Sequence, residues 1–127
     1  MASANRATPV VHTKWKDVRE DRMRMGITRR FVHSNDAMVA QITLPKGSIV
    51  PAHRHDNEQY TYVLTGALAF TFYDEQDEEI TVRAGEIILI PSGVLHSAVA
   101  VEDCFELDIF TPPRADWIDG SDAYLRK

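Results

Sequence analysis

From Gly26 to Thr111 the chain alternates short apolar or β-branched runs with turn residues, and no stretch carries the 3.6-residue period of an amphipathic helix. ITRRFV and MVAQITL flank Ser34-Asn35-Asp36, a trio whose short polar side chains bond their own backbone, so the pair reads as a hairpin. The rhythm continues with IVPAHRH after Lys46-Gly47, YTYVL before Thr65-Gly66, and ALAFTFY ending at the acidic loop DEQDEE; ITV, IILI, SAVAV and FELDIF follow. Eight or more strands at roughly 8- to 12-residue spacing predict an all-β sandwich or barrel. Thr111-Pro112-Pro113 ends the last strand, because proline donates nothing to a ladder, and Trp117 to Tyr124 is expected as a short capping segment.

Residues 1–14 hold Ser, Asn, Thr and Pro without an apolar period and are read as an arm, flexible or docked on a partner subunit. The barrel domain is expected over 15–127, with 16–24 irregular, and 127 residues make one domain with a core large enough to fold without staples. Hydrophobic residues at 44% and charged residues at 26% are ordinary globular values that indicate neither disorder nor a membrane protein. The net charge of −5 repels phosphate backbones and argues against a nucleic-acid partner. Cys104 is the single cysteine, and the first residues lack the apolar run of a secretion signal, so a cytoplasmic location is expected.

The chemistry concentrates in two segments. His53 and His55 stand two apart in a β run, and side chains at i and i+2 share a strand face, so both imidazoles point into one barrel. Gln59 opens the next run, and Gly85-x5-Pro91-x-Gly93-x2-His96 delivers a third histidine at the start of another strand. Three imidazoles and a side-chain carbonyl suit a transition metal, and with Gln59 as ligand every donor is neutral, which favours Lewis-acid polarisation of a bound oxygen. Glu58 is the stronger cation binder, but alternation lets only one of the two neighbours face inward, and it sends Tyr60 and Tyr62 outward with Glu58. His12 and His33 read as hydrogen-bonded histidines without metal, and Arg29 with Arg30 as a solvated strand face.

The pattern Gly47-x5-His53-x-His55-x3-Gln59-x6-Gly66, followed by Gly85-x5-Pro91-x-Gly93-x2-His96, resembles the two motifs of the cupin superfamily, a metal-binding β-barrel related to the jelly rolls. It departs where cupins usually carry Glu at Gln59 and Asn at Ala100. HRHDNEQ, GVLHSAVAVED and LDIFTPPRADW narrow the resemblance to small single-domain cupins that open and ketonise 4,5-unsaturated monouronates from pectin and alginate. The resemblance implies a single-domain cupin with His53, His55, Gln59 and His96 around one divalent transition ion (Zn, Ni, Fe, Mn or Co). It also implies a pocket lined by Asp108, Phe110 and Arg114, a sugar acid as the small-molecule substrate, and a homodimer. Asp108 then carries a proton, Arg114 pairs with the substrate carboxylate, and Phe110 faces the ring. The residues alone leave open a structural role for Asp108, a core role for Phe110 and an ion pair of Arg114 with Asp116 or Asp119. The alternatives to a ketonising, isomerase-like enzyme are a metal-dependent oxygenase and a non-catalytic cupin that binds a small acid or sugar.

Overall fold

The computed structural model describes residues 9–74 and 76–126. Residues 1–8 of the expected arm and the last residue of the expected barrel domain lie outside the described residues; 9–14 run exposed and without regular structure ahead of a 3-10 turn at Trp15–Asp17. Ten strands follow: β1 (Asp21–Arg22), β2 (Thr28–His33), β3 (Met38–Leu44), β4 (Ile49–His53), β5 (Glu58–Thr65), β6 (Ala67–Phe72), β7 (Glu78–Arg83), β8 (Ile87–Ile90), β9 (His96–Ala100) and β10 (Cys104–Thr111). Among the described residues two short helices, α1 (Ala115–Asp119) and α2 (Ala123–Arg126), follow where the capping segment is expected.

The strands form two antiparallel sheets, one ordered β1-β2-β3-β10-β5-β8 and the other β4-β9-β6-β7. The all-β reading therefore holds, and one core cluster draws on the inner faces of both sheets: Met38, Ile42 and Leu44 from β3, Val63 from β5, Leu68 and Phe70 from β6, Ala98 from β9. Alternation places these residues, because β3 and β10 bury every second side chain against the opposite sheet. The β5–β6 turn depends on Gly66, whose φ is +81° and whose missing Cβ would lie 2.0 Å from the Asp103 carbonyl oxygen. Among the described residues no helix is long and apolar enough to cross a membrane.

Two expectations need correction. Segment 16–24 is not wholly irregular, because β1 pairs with β2 and sets Asp21 opposite Arg29. Arg29 is not on a solvated face: it is 1% exposed, with its guanidinium 4.3 Å from the Trp117 ring. The charge is tolerated there because Nε and Nη2 donate to Asp21 while Nη1 donates to Asp122 at 2.6 Å. Burial alone would raise both carboxyls, but Arg19 and Arg29 hold Asp21, and Arg126 and Arg29 hold Asp122, below the ordinary carboxylate range. Arg29 thus ties the C-terminal segment, 93 residues away in sequence, to the barrel. Arg30 is half-buried and donates to the Trp15 carbonyl.

Candidate metal centre

The three histidines come together because β4 breaks its own register. Val50 pairs with Ala98 but His53 pairs with His96, so β4 carries one extra residue between them, at Pro51-Ala52. Proline cannot donate to the ladder, and a bulge there flips the parity of the strand. Val50 and His53, three apart, consequently both face the interior cavity. His55 lies just past the strand end, so it is the loop after β4 rather than a shared strand face that brings it to His53.

The ring centroids of His53 and His96 are 4.4 Å apart, those of His55 and His96 5.2 Å, and those of His53 and His55 5.5 Å. One ring nitrogen from each lies within 4.8 Å of the others. In every ring Nδ1 faces a backbone carbonyl two residues away: Pro51 for His53 at 2.8 Å, Asn57 for His55 at 3.0 Å and Val94 for His96 at 2.8 Å. Those contacts assign the proton to Nδ1 and leave Nε2 of each imidazole as the nitrogen with the lone pair. Burial pushes the His53 pKa down to about 3, helped by His96 and Arg114, and that of His55 down to about 4, helped by Arg114 and His96. Burial and Arg114 also lower His96. All three are neutral at pH 7, the form that binds a cation.

Gln59, buried on β5, completes the group, with Oε1 3.1 Å from Nε2 of His55. Its amide donates to Oγ1 of Thr61 at 2.9 Å, and Thr61 donates to Oδ1 of Asp108 at 2.6 Å. The chain of donors fixes the direction of Gln59: its NH2 is turned toward Thr61, so its carbonyl oxygen is turned toward the imidazoles. Glu58 and Tyr60 are exposed on the opposite face, as alternation requires. Three imidazole nitrogens and one amide oxygen are donors of the kind that could hold a transition ion at about 2.0–2.3 Å, and among the described residues no carboxylate joins the group. Of the remaining histidines, His33 is exposed, with Nδ1 against the Ser34 carbonyl, and His12 lies in the exposed segment 9–14.

Asp108 and Phe110 share the inner face of β10, as their spacing predicts. Asp108 is 4% exposed and is held by a side-chain hydroxyl rather than by backbone donors. Burial pushes its pKa up to about 6 against the opposing pull of Thr61 and Arg114. Phe110 meets the edge of His55 with centroids 5.8 Å apart and that of Trp117 at 4.9 Å, so it is both core and cavity wall. Arg114, just past the double proline, lines the same cavity under the Phe110 and Trp117 rings. Its guanidinium is engaged on both sides: Nε and Nη2 grip Asp116, and Nη2 also donates to the Tyr124 hydroxyl. The Asp116 pair left open by the residues is therefore present, without removing Arg114 from the cavity.

Sequence reasoning missed two features of the site. Tyr124 of α2 stacks on His53 at 4.7 Å, and with Trp117 and Leu125 it lines the cavity, whose volume is about 50 Å³, room for a few water molecules. Glu106 stands behind Asp108 on the same wall; the period-2 pattern of FELDIF carried that signal.

A sequence model of the cupin domain matches residues 40–110. The chain is 28% identical over 109 residues to the pectin degradation protein KdgF of Dickeya dadantii (strain 3937), covering 84% of this chain and 92% of that protein. It is 28% identical over 72 residues to an oxalate-binding protein of Thermotoga maritima, covering 56% of this chain and 57% of that one. Among solved structures, KdgF from Halomonas sp. superposes with a TM-score of 0.72 at 27% identity, covering 80% of this chain and 93% of that chain.

Proposed function

The chain belongs to the cupin domain family, and from that premise we propose that it is a metal-dependent enzyme that converts a 4,5-unsaturated monouronate to its linear ketonised form. The observation that carries this reading is the placing of Asp108, Phe110 and Arg114 on the wall of the cavity that His53, Gln59 and His96 also line. Similarity to a pectin degradation protein over most of both chains supports it. His53, His55, Gln59 and His96 would hold one divalent transition ion. When bound, that ion supplies Lewis acidity toward an oxygen of the sugar acid.

The residues of the chain do the rest. Asp108 carries the proton that the enol-ether carbon must gain, and a carboxyl titrating near 6 gives and takes protons readily at neutral pH. Arg114 exchanges its Tyr124 hydroxyl partner for the substrate carboxylate, which the planar guanidinium grips through two parallel hydrogen bonds. The cavity is about 50 Å³ and must widen to take a sugar ring, by movement of the Tyr124 side chain off His53. Phe110 packs against the ring, and Tyr124 behind it keeps bulk water away while the proton moves.

The test is the loss of the C4=C5 double bond in unsaturated galacturonate and mannuronate monomers. Metal-loaded protein is expected to consume one or both, chelator-stripped protein neither, and added divalent ion to restore the rate. A second reading, a carrier of small acids, draws on the similarity to the oxalate-binding protein; it predicts ligand binding with no loss of the double bond.

We also propose a homodimer. The outer face of the larger sheet presents a cross-strand row of Val39, Ile109, Tyr60 and Leu89, all partly exposed, with Tyr62 and Ile87 in the next row. Val11 of the arm lies beside Val32 and Val39 at the edge of that face. A contiguous apolar sheet face of this kind is covered in most stable proteins, and a second copy presents the same surface. Light scattering at micromolar concentration is expected to return twice the chain mass; the mass of one chain would contradict the dimer.

A further inference from the structure

The cavity wall holds a second carboxyl group. Glu106 precedes Asp108 by two residues on β10, so both side chains take the inner face, each 4% exposed. The cross-strand neighbours of Glu106 are Ile42 and Val63, which offer neither charge nor hydrogen bond. Its Oε2 atom has no hydrogen-bond partner among the described residues. The two arginines that share the cavity are committed to other acids, Arg29 to Asp21 and Asp122, and Arg114 to Asp116. An ionised carboxylate without a cation is costly to bury, whereas a neutral acid needs only one acceptor. Asp108 is the natural acceptor, because it already takes the Thr61 hydroxyl and lies nearer the field of Arg114.

We propose that Glu106 is the proton store for Asp108: a neutral carboxylic acid that shares its proton with the Asp108 carboxylate and supplies the proton that Asp108 delivers to the substrate. The inference rests on the uronate reading above. In hydration of the enol ether the Glu106 O–H bond breaks as an Asp108 O–H bond forms, and a C–H bond then forms as that Asp108 O–H bond breaks. The water that adds to the sugar releases the proton that refills the pair. No net proton is gained or lost. Burial and the neighbouring Asp108 hold Glu106 well above the ordinary carboxylic range, in keeping with the neutral form. Glu106 acts through Asp108 and is a positioning residue for the proton, not a group that touches the sugar.

The experiment joins an infrared difference spectrum with steady-state kinetics on the full, metal-loaded chain. Wild-type protein minus Glu106→Gln is expected to show a protonated-carboxyl C=O band that moves in D2O, in metal-free protein as well as loaded. The same band is expected to shift in Asp108→Asn. Glu106→Gln, which keeps size but holds no transferable proton, is expected to lower kcat by about 10- to 100-fold with KM unchanged. Absence of the band, a band indifferent to Asp108→Asn, or a wild-type kcat in Glu106→Gln would each overturn the proposal. If wild-type protein leaves uronates untouched, the uronate reading falls, and the band with its response to Asp108→Asn alone decides whether the two carboxyls share a proton.

Discussion

Asp108→Asn is expected to lower turnover of unsaturated uronate by about 10²- to 10⁴-fold, the range that a positioned proton carrier contributes. The substitution is nearly isosteric, and the amide oxygen of Asn can still accept the Thr61 hydroxyl that Asp108 accepts at 2.6 Å. Thr61 in turn keeps accepting from Gln59, so the carbonyl of Gln59 keeps its direction and metal content is expected to match wild type. KM is expected to change little, because substrate affinity rests on Arg114 and the centre. Unchanged kcat at full metal content would remove Asp108 from the chemistry and return it to a structural role. Metal analysis beside the kinetics separates that outcome from an indirect loss of the ion.

The second large effect belongs to the imidazoles. A His53→Ala, His55→Ala double variant is expected to lose well over 100-fold in metal affinity, since changes merely behind a ligand already cost about 10- to 100-fold. Protein purified from this variant is expected to be metal-free by elemental analysis and inactive. It is expected to fold, because the core cluster is built from the inner apolar residues of β3, β5, β6, β9 and β10 and contains neither histidine. A cooperative thermal transition close to that of chelator-stripped wild type checks this. Full metal content in the variant would place the ion elsewhere.

Much of this architecture was legible in residue patterns because β structure writes itself in period 2. The runs ITRRFV, MVAQITL, YTYVL and FELDIF became β2, β3, β5 and β10, and in the last three the inward and outward sets are those that alternation assigns, including Tyr60 and Tyr62 outside. That His53, His55, Gln59 and His96 come together was legible for a different reason: their spacing among turn-forming Gly and Pro constrains geometry far more than a lone histidine does. The route by which His53 turns inward was not legible, because the bulge at Pro51-Ala52 is defined by pairing with β9, 43 residues downstream at His96. Arg29 was misread for a related reason. As a residue type it reads as solvent-facing; its burial depends on Asp122, 93 residues away. Tyr124 over His53 is likewise a product of tertiary contact, whereas the inward place of Glu106 was written in the period-2 pattern of FELDIF.

The most direct test is the rate at which Zn²⁺-loaded protein removes the double bond of an unsaturated uronate under argon, set against the rate in air. Asp108 and the Lewis acidity of a redox-inert ion suffice for hydration and ring opening, so the two rates are expected to be equal and to yield the linear keto product. Turnover that stops without O₂, or that Zn²⁺ cannot support while a redox-active ion can, would contradict the account and make the centre that of an oxygenase.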